Sequence, residues 1–242
     1  MNNEFKPGTV HPEVDYLELE RLSTKLGIPV PMMFVTVEAT NPDGTPGERY
    51  HDRARTWNRN YWNWLWTLFG ALSSSSASSI TSITGDSTFG AGHINLKGLT
   101  GTIATTALSN CMAFPPENAF IPAVNVVLGI VVGTGTTAES FENGSLVSAC
   151  AQGTGVGQLN YLAGVFTQPT YNAGTRVWTS AQSRVITNNS SATIVVAETG
   201  LYPTSFAAVG YMVERSLLGA TVSVLAAGQL TVTYTMTLTF PA

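Results

Sequence analysis

Leu230-Thr231-Val232-Thr233-Tyr234-Thr235-Met236-Thr237-Leu238-Thr239-Phe240 sets a large apolar side chain against a threonine at every step. Successive side chains of a strand point to opposite sides. The stretch is therefore expected to be a half-buried β-strand, with its threonine face toward water or a partner. Working back along the chain, Val126 to Val132 is a continuous apolar run closed by Gly133-Thr134-Gly135. Gln158 to Phe166, Arg176 to Thr187, Ala192 to Glu198 and Tyr211 to Ser216 read as further strands, and so does Met32 to Val37. Gly, Pro and Asn turns separate them, as in Asn41-Pro42-Asp43-Gly44-Thr45-Pro46-Gly47. This pattern predicts a mainly β protein, an antiparallel β-sandwich (jelly-roll-like) of roughly seven to ten strands.

Composition sets the bounds. The 242 residues suffice for one large β domain or two small ones, with no need of disulfides or a metal. Hydrophobic residues make up 44%, which rules out disorder of the whole chain. Charged residues make up 11%, less than half of the roughly 25% usual in soluble domains. They are also unevenly spread. Residues 1–60 hold seven of the eleven basic and nine of the fifteen acidic residues, leaving ten charges for the other 182. A solvated surface of that size needs more, so part of it is expected to be covered by copies of the same chain. Net charge −4 gives no nucleic-acid footprint, and no apolar run approaches a membrane-spanning length. Met1 to Val10 lacks the apolar core of a secretory signal. The chain is therefore expected neither to sit in a membrane nor to be exported by the usual route.

Three regions follow. Residues 1–72 form an N-terminal segment, in which Val14 to Leu22 is a possible short helix. Residues 73–119 form a Ser/Gly/Thr-rich arm or extended loop opened by Ser73-Ser74-Ser75-Ser76, with short strand pieces at Ile80 to Ile83 and Gly101 to Ala104. Residues 120–242 form the β-sandwich.

The N-terminal segment holds the most unusual stretch. From Asp52 to Phe69, Trp57, Tyr61, Leu65 and Leu68 fall at helical spacing, as do Trp62, Trp66 and Phe69. A helix with aromatic residues on several faces is buried on several faces. Either the core or a subunit contact serves, since Trp, Tyr and Arg carry interfaces. Arg53, Arg55 and Arg59 stand close to Glu48 and Asp52, allowing local pairing and stacking on the rings. Candidate assembly residues are therefore Arg53, Arg55, Trp57, Arg59, Tyr61, Trp62 and Trp66, with the rings mostly buried. Buried Asn58, Asn60 and Asn63 would have to bond backbone or neighbours.

Little points to catalysis. His11, His51 and His93 lie far apart, and no Gly-x-Ser-x-Gly elbow occurs. Nothing marks a facing pair among Glu117, Glu139, Glu142, Glu198 and Glu214. Gly153-Thr154-Gly155-Val156-Gly157 precedes a strand rather than a helix, so it reads as a turn and not a phosphate loop. Cys111 and Cys150 read as small buried side chains, with a pair possible if the fold brings them together. Asn143-Gly-Ser and Asn188-Asn-Ser match the glycosylation pattern but read as turns. No catalytic residue, cofactor or metal is expected.

Four elements in order resemble small structural proteins of tailed bacteriophages. These are Gly129-Ile130-Val131-Val132-Gly133-Thr134-Gly135-Thr136-Thr137, then Glu198-Thr199-Gly200-Leu201-Tyr202, then Met212-Val213-Glu214-Arg215-Ser216-Leu217, then Leu230 to Thr235. Tyr50-His51-Asp52-Arg53 through Trp57-Asn58-Arg59-Asn60-Tyr61 is similar to the N-terminal part of some of them. Cys150, the Pro203-Thr204-Ser205 insertion and the serine-rich arm depart from the pattern. The resemblance implies a non-enzymatic virion component of the tail, neck or capsid surface, working as a homo-oligomer with other virion proteins as partners. A receptor- or carbohydrate-binding tail protein is the second reading, with Tyr171 and Trp178 as stacking residues. A cell-wall polysaccharide enzyme is the third.

Overall fold

The structure is a computed structural model. It describes residues 21–54, 56–58, 60–62, 93–96, 99–102, 129–202 and 212–241. Two antiparallel sheets face each other. The five-stranded sheet runs β2-β1-β11-β8-β7 and the four-stranded sheet β3-β10-β9-β6. The strands are β1 (Val30–Thr40), β2 (Pro46–Arg53), β3 (Thr56–Trp57), β6 (Gly129–Gly133), β7 (Asn160–Asn172), β8 (Val177–Thr187), β9 (Ile194–Tyr202), β10 (Glu214–Val224) and β11 (Gln229–Thr239). The remaining two, β4 (His93–Leu96) and β5 (Leu99–Thr102), pair only with each other. They fall inside the region read as an arm. Residues 21–26 are helical, overlapping the end of the helix expected at Val14 to Leu22.

The alternating strand is the hub. β11 pairs with β1 along all of Val30–Thr40 and with β8 along all of Val177–Thr187. Its inward side chains line up in rows across the sheet. Ala39, Leu230, Ile186 and Tyr161 form one row, and Val37, Val232 and Arg184 the next. Val35, Tyr234 and Gln182 follow, then Met33, Met236 and Ser180. Burial falls along this series. Leu230, Ile186 and Tyr161 are fully buried, whereas Met236 is only partly so and Tyr171, beyond it, is exposed. The sandwich is thus closed at one end and open at the other.

Two side chains from the five-stranded sheet cross to β6 at the closed end. Tyr161 donates its hydroxyl to the carbonyls of Cys150 and Val132 at 2.9 and 3.2 Å. Arg184 donates to Ile130 O at 3.0 Å and Leu162 O at 2.8 Å, with its guanidinium 4.8 Å from the Tyr161 ring centre. Burial lowers the Arg184 pKa to about 10.

The chain crosses between sheets twice in quick succession, from β8 to β9 and from β10 back to β11. Asn188, fully buried, joins these two corners. Its amide donates to Ala192 O, Val224 O and Leu225 O at 2.8, 2.9 and 3.1 Å. One of the two glycosylation-like asparagines is therefore a corner post, as the turn reading expected.

Candidate functional site

The segment expected to be one helix from Asp52 is not. Asp52 and Arg53 end β2, and Thr56–Trp57 is β3, paired with Glu214 and Arg215 of β10. Helical backbone begins only at residue 60 among the described residues. The aromatic spacing misled because backbone pairing with β1 and then β10 holds this stretch extended. Arg55, Arg59, Asn63 and Trp66 lie outside the described residues.

Asn58 makes the change of direction. Its amide donates to Met212 O at 2.7 Å and Asn143 O at 2.8 Å, and its side-chain oxygen accepts from Tyr61 N at 3.3 Å. That last bond is an N-cap, satisfying a first-turn donor. Asn60 also donates to Met212 O, at 2.9 Å. Both asparagines are buried and bonded to backbone, as expected. The rings then step outward. Trp57 and Tyr61 lie 4.0 Å apart at their centres, and Tyr61 meets Trp62 edge-on at 5.3 Å. Trp57 and Tyr61 are partly buried, but Trp62 is 50% exposed. The expectation that Trp62 is mostly buried fails in the single chain, because the turn capped by Asn58 carries that ring past the edge of the sheet.

Strand register sets the charge contacts seen among the described residues of β1 and β2. Glu38 faces Arg49 across β1 and β2 and binds it at 2.8 Å. Glu48 instead accepts from Ser223 N at 2.6 Å, on β10. Arg53 lies opposite Phe34, with its guanidinium 5.8 Å from that ring's centre. Next along, His51 stacks on Phe34 at 5.7 Å and bonds Thr36 Oγ1 at 2.7 Å. Burial lowers the His51 pKa, with Arg49 adding to the effect.

Beside the aromatic step, three of the four sequence elements singled out above meet at one ion pair, while Leu230 to Thr235 lies in the other sheet. Glu198 of β9 and Arg215 of β10 are diagonal neighbours, both fully buried, with Arg215 Nε 2.7 Å from Glu198 Oε2. The loop after β6 wraps this pair. Ser148 N and Gly135 N donate to Glu198 Oε1 at 2.8 and 3.2 Å, and Val147 N donates to Oε2 at 3.2 Å. Arg215 donates to Thr137 O at 2.8 Å, Asn143 Oδ1 at 3.1 Å and Ala138 O at 3.2 Å. Tyr202 closes the far side by accepting from Leu146 N at 2.8 Å.

The glycines now have a reason. A Cβ on Gly135 would stand 2.4 Å from Glu198 Oε1, and one on Gly133 would stand 2.5 Å from Ser148 O. A Cβ on Gly200, opposite Arg215, would meet Leu146, Tyr202 and Met212 at 2.9 to 3.1 Å. Gly-Thr-Gly-Thr-Thr is therefore a strand end and loop shaped to a buried carboxylate of its own chain. Gly133 ends β6 and Gly135 lies in the loop beyond it, whereas Gly200 lies within β9. Phe141 and Val147 stand out from this loop, 49% and 50% exposed, and Asn143 ties it to Asn58 beside Trp62.

The other side of β10 faces the five-stranded sheet. There Glu214 is fully buried and accepts from Ser216 Oγ at 2.5 Å. Thr199 Oγ1 bonds Tyr234 OH at 2.7 Å in the same layer. Burial pushes the Glu214 carboxyl up to about 8, while Ser216 and Tyr234 pull the other way. Burial thus favours its neutral form. Sequence reasoning listed Glu198 and Glu214 as carboxylates of the β region but not as a salt-bridge member and a protonated acid. Strand parity carried that signal, because Glu214 and Arg215 are adjacent and must point to opposite sides.

Cys150 is buried and free, and burial raises its thiol to about 11, which makes it inert at neutral pH. Cys111 lies outside the described residues. No group of three or more His, Cys, Asp or Glu side chains that could hold a metal occurs among the described residues, and none of their helices is long and apolar enough to cross a membrane. Compared with family models, curated proteins and solved structures, the chain matches nothing.

Proposed function

We propose that the chain is a non-enzymatic structural subunit of a phage-like virion, self-assembling through its β domain, arm and aromatic segment. The supporting observation is a surface short of charge. Of the ten charged residues beyond residue 60, Arg184, Glu198, Glu214 and Arg215 are buried. Meanwhile Trp62, Phe141 and Val147 are exposed around a loop fixed by a buried ion pair. Apolar side chains on a rigid support, with few charges about them, suit a protein interface more than solvent. Double crossing of the chain between sheets goes with the jelly-roll-like reading. Copies of the chain and other virion proteins are the partners, and nucleic acid is not.

Replacing Trp62 with Ala tests this. The variant should keep the melting temperature of the parent chain and lose its oligomer in light scattering at micromolar concentration. A parent that is monomeric there, with no larger form in a native particle, refutes the reading. A variant that assembles normally removes Trp62 from it.

A receptor- or carbohydrate-binding tail protein is the second reading. Tyr171 and Phe240, 54% and 42% exposed, meet edge-on at 6.0 Å and offer a ring surface to a sugar. Specific glycan-array binding, lost with Tyr171→Ala, would favour it.

A further inference from the structure

At the open end, the inner rows of the two sheets do not close on each other. They leave a cavity of about 190 Å³. Met33, Met236 and Trp178 wall it from the five-stranded sheet, and Trp57 and Leu201 from the four-stranded one. Gln182, in the row of Val35 and Tyr234, also lines it. Gln182 is only 8% exposed, and its Oε1 has no hydrogen-bond partner among the described residues. Ser180, beside it, reaches Thr167 O only at 3.4 Å. A buried amide oxygen left without a donor is unfavourable, so a ligand that supplies one gains by it. Water is a poor remedy, since a buried water needs roughly two to four polar partners and this wall is mostly indole, thioether and aliphatic carbon.

We propose that this cavity is a binding site for a small neutral aromatic alcohol, a phenol in the simplest case. Size fits, since an apolar cavity of about 150 Å³ is enough to hold benzene. The walls fit, because two indoles and two methionine sulfurs are favourable neighbours for a ring. The hydroxyl fits, because it donates to an amide oxygen and equally accepts from an amide nitrogen, so it satisfies Gln182 whichever end of the amide it meets. Among the described residues no cation or carboxylate lines the cavity, which disfavours charged ligands. A sugar, with hydroxyls all round, would leave most of them unbonded here. The site is thus distinct in chemistry from the Tyr171–Phe240 surface, and it does not rest on the virion reading.

Titration of the full chain with p-cresol, followed by tryptophan fluorescence and by melting temperature, tests the proposal. Toluene is the matched ring without a hydroxyl. The expected result is saturable p-cresol binding that raises the melting temperature, with toluene about tenfold weaker. Gln182→Leu should abolish that preference and bind toluene at least as well as the parent does. Met236→Trp, which fills the cavity, should abolish both. Failure of p-cresol to saturate at its solubility limit overturns the proposal. So do equal affinities of p-cresol and toluene for the parent, a comparison that needs no variant to fold. Unchanged p-cresol binding in a folded Met236→Trp would place the ligand elsewhere and overturn it as well.

Discussion

Glu198 and Glu214 lie in adjacent strands of one sheet, both fully buried, and they face opposite sides of it. On the outer side, Glu198 has an arginine and three backbone N–H groups, and the arginine's remaining donors are taken by loop carbonyls and Asn143. On the inner side, Glu214 has the Ser216 hydroxyl on one oxygen and a site closed to water, and burial favours its protonated form. One carboxylate is kept charged by bringing a loop to it, and the other is neutralised by leaving water out. The first solution ties together distant parts of the chain. The second only fills space, so the two sides respond differently to substitution.

The largest effect should come from breaking the outer pair. Arg215→Ala strands a buried carboxylate and empties the centre of the loop, and it should cost about 3–5 kcal/mol in urea unfolding. A cost under about 1 kcal/mol would mean that the loop carries its own stability. Next comes Gly135→Ala, which leaves both charged residues in place but drives a methyl into Glu198 Oε1. It should cost about 1–3 kcal/mol, the usual penalty for overpacking. A neutral result would show that the loop can move off the carboxylate without loss.

The smallest change is on the inner side. Glu214→Gln exchanges one neutral group for another and should stay within about 1 kcal/mol of the parent at pH 5. Its signature is pH dependence. The folded pKa, about 8, lies above the ordinary value of 4.5, so the folded state holds more protons than the unfolded state between them. The contribution of Glu214 to stability is therefore complete below about pH 4.5 and is lost as pH rises through about 8. Glu214→Gln should lack that decline and become the more stable protein near pH 8. Parallel pH profiles would show that Glu214 is ionised in the folded state, and the contrast between the two faces would collapse.

Sequence reading reached the strands whose two faces differ in polarity. The threonine alternation of β11 gave its limits to within a residue, and Met32 to Val37 fell inside β1. It stopped short on β9 and β10, expected to end at Glu198 and Ser216 but running to Tyr202 and Val224. There polar residues are buried on both sides, so polarity no longer reports exposure. β8 was found although its inward face carries Ser180, Gln182 and Arg184. The ordered motifs marked the right residues for the clamp, but nothing local shows that a glycine loop near 135 and an arginine at 215 serve the same carboxylate. The stretch from Asp52 was misread because aromatic spacing fits a helix, while Asp52 and Arg53 pair with β1 and the partners of Thr56 and Trp57 lie more than 150 residues away.

The pairing of β1 with β11 has a consequence for synthesis. Val30–Thr40 emerges well before Gln229–Thr239, which is one of its two neighbours in the sheet. Until that stretch has left the ribosome, β1 and its hairpin with β2 have no second layer of their own sheet to hold them, and a two-stranded hairpin alone is marginal in water. Closure of the core is thus a late event, dominated by contacts of long sequence separation. A chain whose surface is this poor in charge would otherwise begin to associate while half made. Because β11 is made about 190 residues after β1, the sheet is completed only once both strands are out, and assembly is left to chains whose core has closed.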